Sequence, residues 1–469
     1  MTSILLFRRD LRLSDNPALI AAAKAGPIIP VYIYEEKEAP NWNTGAASKF
    51  WLHHSLHALN KSLDGHLVIL KDKKSLKEII EETNATHVFW NRRYEPYLAA
   101  IDDTLQKSLE KGGLTVETFQ ANLLWEPWQV TKADGTPYKV FTPFYRKGCL
   151  KQDEPRAPYK KPSHLKFQKA KSLSIEDLNL LPTKPRWDKK MKAHWDIGED
   201  GAHKTLNHFL KKGFKNYKEG RNFPGLDVLS HLSPHTHFGE VSPNQVWHAA
   251  KHAGHEHHNE NDLDTFHSEM GWREFSYYLM HYFPELPDQP WDKKFVRMSW
   301  SNSTKNLKAW QQGQTGYPIV DAGMRELWET GYMHNRIRMV VASFLIKHLQ
   351  IDWVKGEEWF WDTLVDGDLA VNAFNWQWVA GCGADAAPYF RIFNPVLQGE
   401  KFDTDGAYVR KWVPELKDMP DKFIHRPWDA SEEILQKAKV TLGKTYPHAL
   451  VEHSDARDRA LEAYKDLKK

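Results

Sequence analysis

With 469 residues, 41% of them hydrophobic, the chain is too long for one hydrophobic core and should fold as two or three domains. Its net charge of only +3 at pH 7 excludes a globally basic surface for nucleic acid, so any such surface must be local. Two cysteines, no recognisable signal sequence and no apolar run of about 18 residues exclude a disulfide framework and a membrane span, and they indicate a cytoplasmic protein.

Residues 1–130 alternate strand-like runs with amphipathic helical runs, which predicts a doubly wound α/β domain with a parallel, Rossmann-like sheet. The strand-like runs are Ser3–Phe7, Ile28–Tyr34, His66–Leu70, His87–Asn91 and Leu114–Phe119. The helical runs are Pro17–Lys24, Ala46–Leu63, Ser75–Thr83 and Tyr97–Lys111. Neither GxGxxG nor GxxxxGK[ST] occurs, so the fingerprints of an ordinary dinucleotide site and of a P-loop are missing.

Residues 131–195 are rich in Lys and Pro, as in RAPYKKPSHLKFQKAK, and we interpret them as an interdomain linker on the surface. In residues 196–469 the strand-like alternation disappears, and helical spacing predicts an all-helical domain. The predicted helices are Ala202–Phe214, Asn244–Ala253, Leu263–Tyr282, Asn306–Gln312, Ala322–Thr330, His334–Gln350, Glu357–Leu364 and Ala430–Leu442.

A group of histidines in a polar segment could suggest a metal site. No carboxylate or thiolate stands beside it at a clear metal-like spacing, so we expect a solvated helix end and no metal. The group consists of His252, His255, His257 and His258.

The stretch from Asp366 to Pro395 combines two carboxylates, an amide and two tryptophans around a glutamine. Acids and an amide can hold a heteroaromatic ring by its polar edge, and tryptophans can stack on rings or pass single electrons. This mixture indicates a large redox cofactor beside an aromatic substrate. The residues concerned are Asp366, Asp368, Asn372, Trp376 and Trp378.

Two further helical stripes carry polar groups among apolar neighbours. One presents an acid, an indole and a guanidinium on one face, which are unfavourable to bury unless each meets a partner. The indole could stack on a base, or the stripe could be an internal Glu–Arg pair with a packed Trp. In the second stripe, Arg336 is turned about 100° from its neighbours and could clamp a phosphate. The stripes are Glu269, Trp272, Arg273 and Ser276, and Asn335, Arg338 and Met339.

Several long strings carry a family resemblance. They include FRRDLRLSDNPAL, YKEGRNFP, LSHLSPHTHFGEVSP, TGYMHNRIRMVVASFL and DAAPYFRIFNPVLQGEKFD. With these strings the chain resembles the photolyase/cryptochrome family over nearly its whole length, and it looks most like the prokaryotic class I cyclobutane pyrimidine dimer photolyases. The resemblance implies an antenna domain over residues 1–130 and an FAD-binding catalytic domain over residues 196–469.

The resemblance also implies which residues hold FAD. Arg338 and Asp366 match an ion pair over the flavin, and Asp368 matches the acid at its polar edge. Asn372 matches the amide that faces flavin N5; an amide is a poor acid, so it favours the reduced flavin of a photolyase, whereas plant cryptochromes carry Asp there. The implied FAD-binding residues are Tyr217, Leu229, Ser230, His231, Leu232, Ser233, Arg273, Arg338, Asp366, Gly367, Asp368 and Asn372.

For the substrate, the resemblance implies a pocket for a cyclobutane dimer flipped out of DNA, in which Glu269 hydrogen-bonds a carbonyl of the dimer. Related (6-4) enzymes have His in place of Asn335. The implied DNA-binding residues are Glu269, Trp272, Asn335, Arg336, Met339, Trp378, Arg391 and Gln398. Trp376, Trp353 and Trp300 match the family's chain of electron carriers from the flavin to the surface.

We therefore expect a monomeric enzyme that repairs cyclobutane pyrimidine dimers in UV-damaged DNA by electron transfer from photoexcited reduced FAD. A second, antenna chromophore, folate or deazaflavin, is left open, because the folate-binding Cys-Lys pair of some relatives aligns with Pro287 and Asp288. The alternatives are a cryptochrome-like photoreceptor without repair activity and a protein that binds damaged DNA without repairing it.

Overall fold

The computed structural model describes residues 2–256, 258–301 and 303–467, and the chain forms two compact units. The first unit consists of Met1–Tyr217, Ser230–Pro284 and Val365–Ala370. The second consists of Lys218–Leu229, Glu285–Leu364 and Val371–Lys469. The domain bounds suggested by the sequence, 1–130, 131–195 and 196–469, stay a prediction.

The first unit contains a five-stranded sheet of order β5-β2-β1-β6-β7, in which every pair is parallel. The central strand β1 pairs Leu5 with Pro30 of β2 on one side and with Phe89 of β6 on the other. The strands are β1 Ser3–Phe7, β2 Ile28–Ile33, β5 Val68–Leu70, β6 His87–Asn91 and β7 Thr115–Phe119, and a small hairpin is formed by β3 Lys37–Ala39 and β4 Trp42–Asn43.

Strand β1 is fully buried because both faces of the sheet are covered. Successive side chains of a strand point to opposite faces, so Leu5 and Phe7 enter one core, whereas Ile4 and Leu6 enter another. The predicted class, a doubly wound parallel sheet joined to a helical domain, is confirmed.

Helices cover the sheet and form most of the rest of the chain. Helix α1 shows the local logic: Asn16 caps it by accepting a hydrogen bond from the Leu19 amide, and Pro17 opens its first turn. The first ten helices are α1 Pro17–Ala25, α2 Ala46–Ser62, α3 Lys73–Thr83, α4 Pro96–Lys111, α5 Asp188–Lys192, α6 Glu199–Lys212, α7 Tyr217–Gly220, α8 Ser233–His237, α9 Pro243–Glu256 and α10 Glu260–Tyr282.

The remaining helices lie almost wholly in the second unit, around one large core of aromatic and aliphatic side chains. They are α11 Thr304–Gln311, α12 Pro318–Thr330, α13 Asn335–Ser343, α14 Trp353–Thr363, α15 Leu369–Ala380, α16 Pro395–Phe402, α17 Ala407–Trp412, α18 Asp421–Ile424, α19 Glu432–Lys437 and α20 His453–Asp466.

Two sequence predictions in the second unit are wrong in extent. The helix expected over Ala430–Leu442 is limited to α19, because Lys439 adopts a left-handed φ of 58° and Leu442 pairs with Tyr446. The helix expected over His334–Gln350 changes at Phe344 into a π-helical turn that ends at His348.

Two expectations concern the surface of the protein. Among the described residues, no helix is both long enough and apolar enough to cross a membrane. In the histidine group, His252 lies 3.8 Å from Glu256 one turn further along α9, and His257 lies outside the described residues.

Candidate functional site

Asp368 is a buried carboxylate of the first unit with polar partners from two other segments. It accepts a 2.5 Å hydrogen bond from the Tyr277 hydroxyl, and the Nδ1 of His237 lies 3.5 Å away. Burial alone would raise the pKa of Asp368. The imidazole of His237, the guanidinium of Arg273 and the hydroxyl of Tyr277 outweigh burial and hold that pKa well below its usual range. Asp368 is therefore a permanent anion that can accept a hydrogen bond from a ligand's N–H group.

Arg273 is held over this carboxylate network by helix α10. Its guanidinium lies 4.8 Å from the centre of the Tyr277 ring and donates a 3.0 Å hydrogen bond to the carbonyl of Asn122. The carboxylate of Glu274, the next residue in the sequence, lies 3.5 Å from the Arg273 guanidinium and forms an ion pair with it.

Asp366 accepts a 2.6 Å hydrogen bond from the hydroxyl of Ser233, the first residue of helix α8. The segment before α8 turns sharply at His231, which has a left-handed φ of 50°. Three other predicted cofactor residues stand near this pair in the sequence: Leu232 and Gly367 are buried, and Ser230 is partly exposed. A Ser–Asp pair at a chain turn can bind the hydroxyls of a nucleotide.

Tyr217, the remaining predicted cofactor residue of the first unit, is packed among aromatic rings. Its ring lies 5.5 Å from that of Phe209 and 5.4 Å from that of Phe266, and the side chain is only 6% exposed. Leu229, which belongs to the second unit, is partly exposed.

Glu269 and Trp272 stand one turn apart on α10, and both are half-buried. Trp272 stacks on Phe141 with ring centres 3.6 Å apart, and its carbonyl accepts a 2.9 Å hydrogen bond from Ser276. The indole is thus fixed by a protein ring on one face, as a rigid platform for stacking requires.

In the second unit, Asn372 and Glu357 form a buried polar pair. The Nδ2 of Asn372 donates a 3.1 Å hydrogen bond to the backbone carbonyl of Glu357. Neither carboxyl oxygen of Glu357 has a hydrogen-bond partner among the described residues, and its side chain is fully buried. Burial, with the charges of Asp288 and Glu358, raises the pKa of Glu357 well above its usual value and so favours its protonated form.

The three predicted electron carriers occur in one core of the second unit. Trp353 and Trp376 are buried members of that core, and Trp300 packs against it with partial exposure. The Trp376 ring lies so close to Gly356 of α14 that a Cβ there would come within 2.1 Å of it. The predicted transfer order stays a prediction. Trp378 also packs against this core and is partly exposed.

Arg336 is the centre of a group of like charges in the second unit. It donates to the side-chain carbonyl of Asn222, and its guanidinium stacks 4.5 Å from the centre of the Phe402 ring. Burial and the positive charges of Arg221 and Arg391 lower its pKa. Three arginines that repel one another, at a partly exposed place, form a favourable site for a phosphate.

The other predicted residues of the second unit lie on or near helices α13 and α16. Arg338 donates a 2.8 Å hydrogen bond to the Met333 carbonyl, so its predicted ion pair with Asp366 stays a prediction. Asn335 is exposed at the start of α13, and Met339 is half-buried against the core. Gln398 lies on α16.

Sequence comparison identifies the family. Residues 3–163 match the family model described as DNA photolyase, and residues 266–466 match the FAD binding domain of DNA photolyase. The chain is 52% identical over 474 residues to the deoxyribodipyrimidine photo-lyase of Agrobacterium fabrum, an alignment that covers 99% of this chain and 98% of that protein. The chain belongs to the photolyase/cryptochrome family.

Two further comparisons place it within the photolyase/cryptochrome family. The crystal structure of a class III photolyase from Agrobacterium tumefaciens superposes with a TM-score of 0.96 at 51% identity and covers 100% of this chain and 98% of that one. Cryptochrome-1 of Arabidopsis thaliana is 36% identical over 479 residues, covering 99% of this chain and 70% of that protein. The expected likeness to class I photolyases is therefore not supported, since the structure that matches the chain at 51% identity is a class III photolyase.

The residues of this family member fit FAD. The permanent anion of Asp368 suits an N–H group of a flavin edge, and the Ser233–Asp366 pair suits ribose or ribityl hydroxyls. The unpartnered carboxyl of Glu357 beside Asn372 is a buried polar group that a ligand could satisfy.

A separate cleft, partly open to solvent, lies at the carboxyl ends of β1 and β2 in the first unit. Ligands of doubly wound sheets bind at this edge. Its charged lining includes Arg8, Arg9, Glu35, Glu38 and Arg93. The second chromophore, folate or deazaflavin, stays a prediction.

Sequence reasoning missed several polar residues of the site, among them Glu357, His237 and Asn222. For Glu357 a signal existed: it stands four residues after Trp353 and three before Phe360, which is core-facing spacing. His237 and Asn222 meet their partners only through long-range contacts, which no local pattern in the sequence indicates.

Proposed function

We propose that this protein repairs cyclobutane pyrimidine dimers in DNA under blue or near-UV light, with FAD as its redox cofactor. The observation that carries this proposal is the buried amide of Asn372, held by the Glu357 carbonyl at 3.1 Å. An amide at this position offers a poor proton donor, which suits a protein that keeps its flavin fully reduced for repair. Reduced FAD, when bound and excited by light, would lend one electron to the dimer and recover it after the ring opens.

Residues of the first unit would hold FAD. Asp368, kept ionised by Tyr277 and His237, would accept a hydrogen bond from the flavin edge. Ser233 and Asp366 would bind hydroxyl groups of the cofactor. The aromatic core around Trp353 and Trp376 would deliver electrons to an oxidised cofactor from outside, with partly exposed Trp300 as the outer carrier.

The proposed DNA contacts are of two kinds: a phosphate contact that positions the DNA, and contacts that recognise the dimer. Arg336, stacked on Phe402 and surrounded by further positive charge, would bind a phosphate next to the lesion. Trp272, already stacked on Phe141, would receive the extruded dimer on its other face. The carboxyl of Glu269, in its protonated form, would donate a hydrogen bond to a base carbonyl. A dimer is poorly stacked in the duplex, so its extrusion is less unfavourable than that of normal bases.

Within the family, we infer a class III-like enzyme in place of the class I enzyme first expected. The support is the match to the Agrobacterium class III structure over the whole chain at a TM-score of 0.96.

A cryptochrome-like photoreceptor is the second candidate, because Cryptochrome-1 aligns with 99% of the chain. One experiment separates the two. The FAD-loaded, chemically reduced protein is mixed with oligothymidine that contains dimers and is then irradiated. Repair restores base absorbance at 260 nm in the light and leaves it unchanged in the dark. Protein that stays photoactive but gives no recovery of absorbance would favour the photoreceptor.

A further inference from the structure

Two histidines and one glutamate outside the proposed flavin and DNA sites converge on the surface of the first unit. His53 and His57 stand four residues apart on helix α2, and Glu176 begins a short 3-10 helix, Glu176–Leu178. One potential ligand atom from each of the three lies within 4.8 Å of the other two. The Nε2 of His57 is 3.1 Å from a carboxylate oxygen of Glu176, and the two imidazole rings are 4.7 Å apart.

These distances approach those of a metal centre. In a tetrahedral Zn²⁺ site with bonds of about 2.0–2.1 Å, neighbouring ligand atoms lie about 3.3 Å apart. Histidines at i and i+4 on a helix are a common way to provide two of those ligands. Since His57 and Glu176 are largely exposed, small rotations of their side chains bring three ligands to one ion, and water completes the coordination.

The charged groups around His53 do not oppose a bound cation. The half-buried imidazole of His53 stands beside that of His57, and an imidazole nitrogen is a common Zn²⁺ ligand. The other groups that act on His53 are Glu176, Asp188 and Arg186, and the last two pair with each other at 2.7 Å. The guanidinium is thereby neutralised, so it does not oppose a bound cation.

The backbone that carries Glu176 is held in place before any metal binds. Ile175 and Leu178 are buried in the same core as the inner face of α2. Ser174 and Asp177 brace the turn through a 2.7 Å hydrogen bond between their side chains. The site is therefore nearly preformed, and binding a metal ion there would require little free energy for ordering the chain.

We propose that His53, His57 and Glu176 form a binding site for one divalent transition-metal ion of the Zn²⁺ type, which joins the segment around residue 176 to helix α2. The site requires no change in the flavin or DNA chemistry, so it stands or falls independently of the proposed function.

The test uses untagged, FAD-containing protein freed of metal by a chelator and then titrated with Zn²⁺ against a chromophoric competitor. We expect one Zn²⁺ per chain, with affinity lowered at least about tenfold in His57→Ala and in Glu176→Gln. His252→Ala is the matched control, because His252 also sits four residues from an acid on a helix, at 3.8 Å. Flavin absorbance verifies that each variant is folded.

A second readout follows hydrogen exchange of the amides of residues 174–178. Zn²⁺ should slow their exchange in the wild type and in His252→Ala but leave it unchanged in His57→Ala. The proposal is overturned if wild-type protein binds no stoichiometric Zn²⁺, or if His57→Ala and Glu176→Gln bind it as tightly as the wild type does.

Discussion

Asn372 donates a hydrogen bond of 3.1 Å to the backbone of Glu357, whose own carboxyl group has no hydrogen-bond partner within the described parts of the chain. The two side chains differ in their acidity. The amide of Asn372 does not ionise at ordinary pH, whereas Glu357 is a carboxylic acid whose pKa burial raises well above its usual value. The two residues lie on α15 and α14, and the role of each can be tested.

Replacing Asn372 by Asp should make the fully reduced flavin harder to keep. The new carboxyl would be buried and partly protonated, so it would supply the proton that the amide withholds. We expect the half-reduced, protonated flavin to accumulate after illumination with an external reductant, with at least a tenfold shift in its ratio to the fully reduced form, equal to about 1.4 kcal/mol. Visible spectra under anaerobic conditions measure that ratio.

Asn375→Asp is the matched control for this change, because Asn375 is exposed one turn later on the same helix. Its Nδ2 hydrogen-bonds the Val371 carbonyl at 2.8 Å, much as Asn372 bonds that of Glu357. Equal spectra for Asn372→Asp and the wild type would contradict the role of Asn372.

Replacing Glu357 by Gln should change how stability depends on pH. The pKa of Glu357 is raised in the folded protein, and it returns to about 4.3 on unfolding. Between these two values the folded state binds the extra proton, so the wild-type free energy of unfolding falls as pH rises. Glu357→Gln has no such titration. The difference between its free energy of unfolding and that of the wild type should therefore increase with pH, by up to about 1.4 kcal/mol per pH unit.

Urea unfolding from pH 5 to 8 measures this difference, with Glu433→Gln as the control. Glu433 is an exposed helical glutamate that pairs with Lys437 at 2.7 Å and does not act on Glu357. A constant difference between Glu357→Gln and the wild type at all pH values would mean that Glu357 is ionised in the folded protein.

Much of the first unit could be predicted because its strands are short, apolar and bounded by turn residues. Ser3–Phe7 and His87–Asn91 match the predicted strands at both ends. Buried parallel strands read as continuous apolar runs, which is a strong local signal. The hairpin β3–β4 was missed, since two or three residues per strand leave no measurable period.

The second unit was harder to predict, and the reason is physical. Helix α15, Leu369–Ala380, is apolar on nearly all sides and has no amphipathic period. Its sequence therefore predicted a cofactor site but not a helix. The site was predictable where residues matched a family pattern. It was not predictable where contacts join distant parts of the chain, as Arg336 does with Asn222.

Replacing Trp300 by Phe should abolish photoreduction of oxidised FAD but spare repair by chemically reduced protein. The indole of Trp300 is partly exposed and packs against the core that holds Trp353 and Trp376, which suits an outer electron carrier. Phenylalanine keeps the packing and is far harder to oxidise. Absorbance under blue light with an external electron donor follows the first reaction, and dimer repair follows the second.

Trp428→Phe controls for the loss of a tryptophan, because Trp428 packs on the same core and contacts Tyr317 with ring centres 5.3 Å apart. We expect Trp428→Phe to photoreduce as the wild type does. Equal losses of photoreduction and repair in Trp300→Phe would show a structural role and contradict electron transfer through this residue.

Replacing Arg336 by Ala should weaken DNA binding and make it less sensitive to salt. Each phosphate neutralised on duplex DNA contributes about 0.9 to the slope of log affinity against log salt concentration. Loss of one contact should lower that slope by about this amount, for damaged and undamaged duplexes alike, because a phosphate contact carries no sequence information. Fluorescence anisotropy at four or five salt concentrations measures it.

Arg457→Ala is the control, since Arg457 is an exposed arginine of the same unit, 3.2 Å from Asp458. Its slope should equal that of the wild type. If Arg336→Ala instead weakens binding at every salt concentration by the same factor, the slope is unchanged and Arg336 contacts no phosphate. Its place beside Asn222 and Phe402 would then serve to hold the helix α16 region in shape, and the positive charge of Arg221 and Arg391 would have to provide the DNA contact.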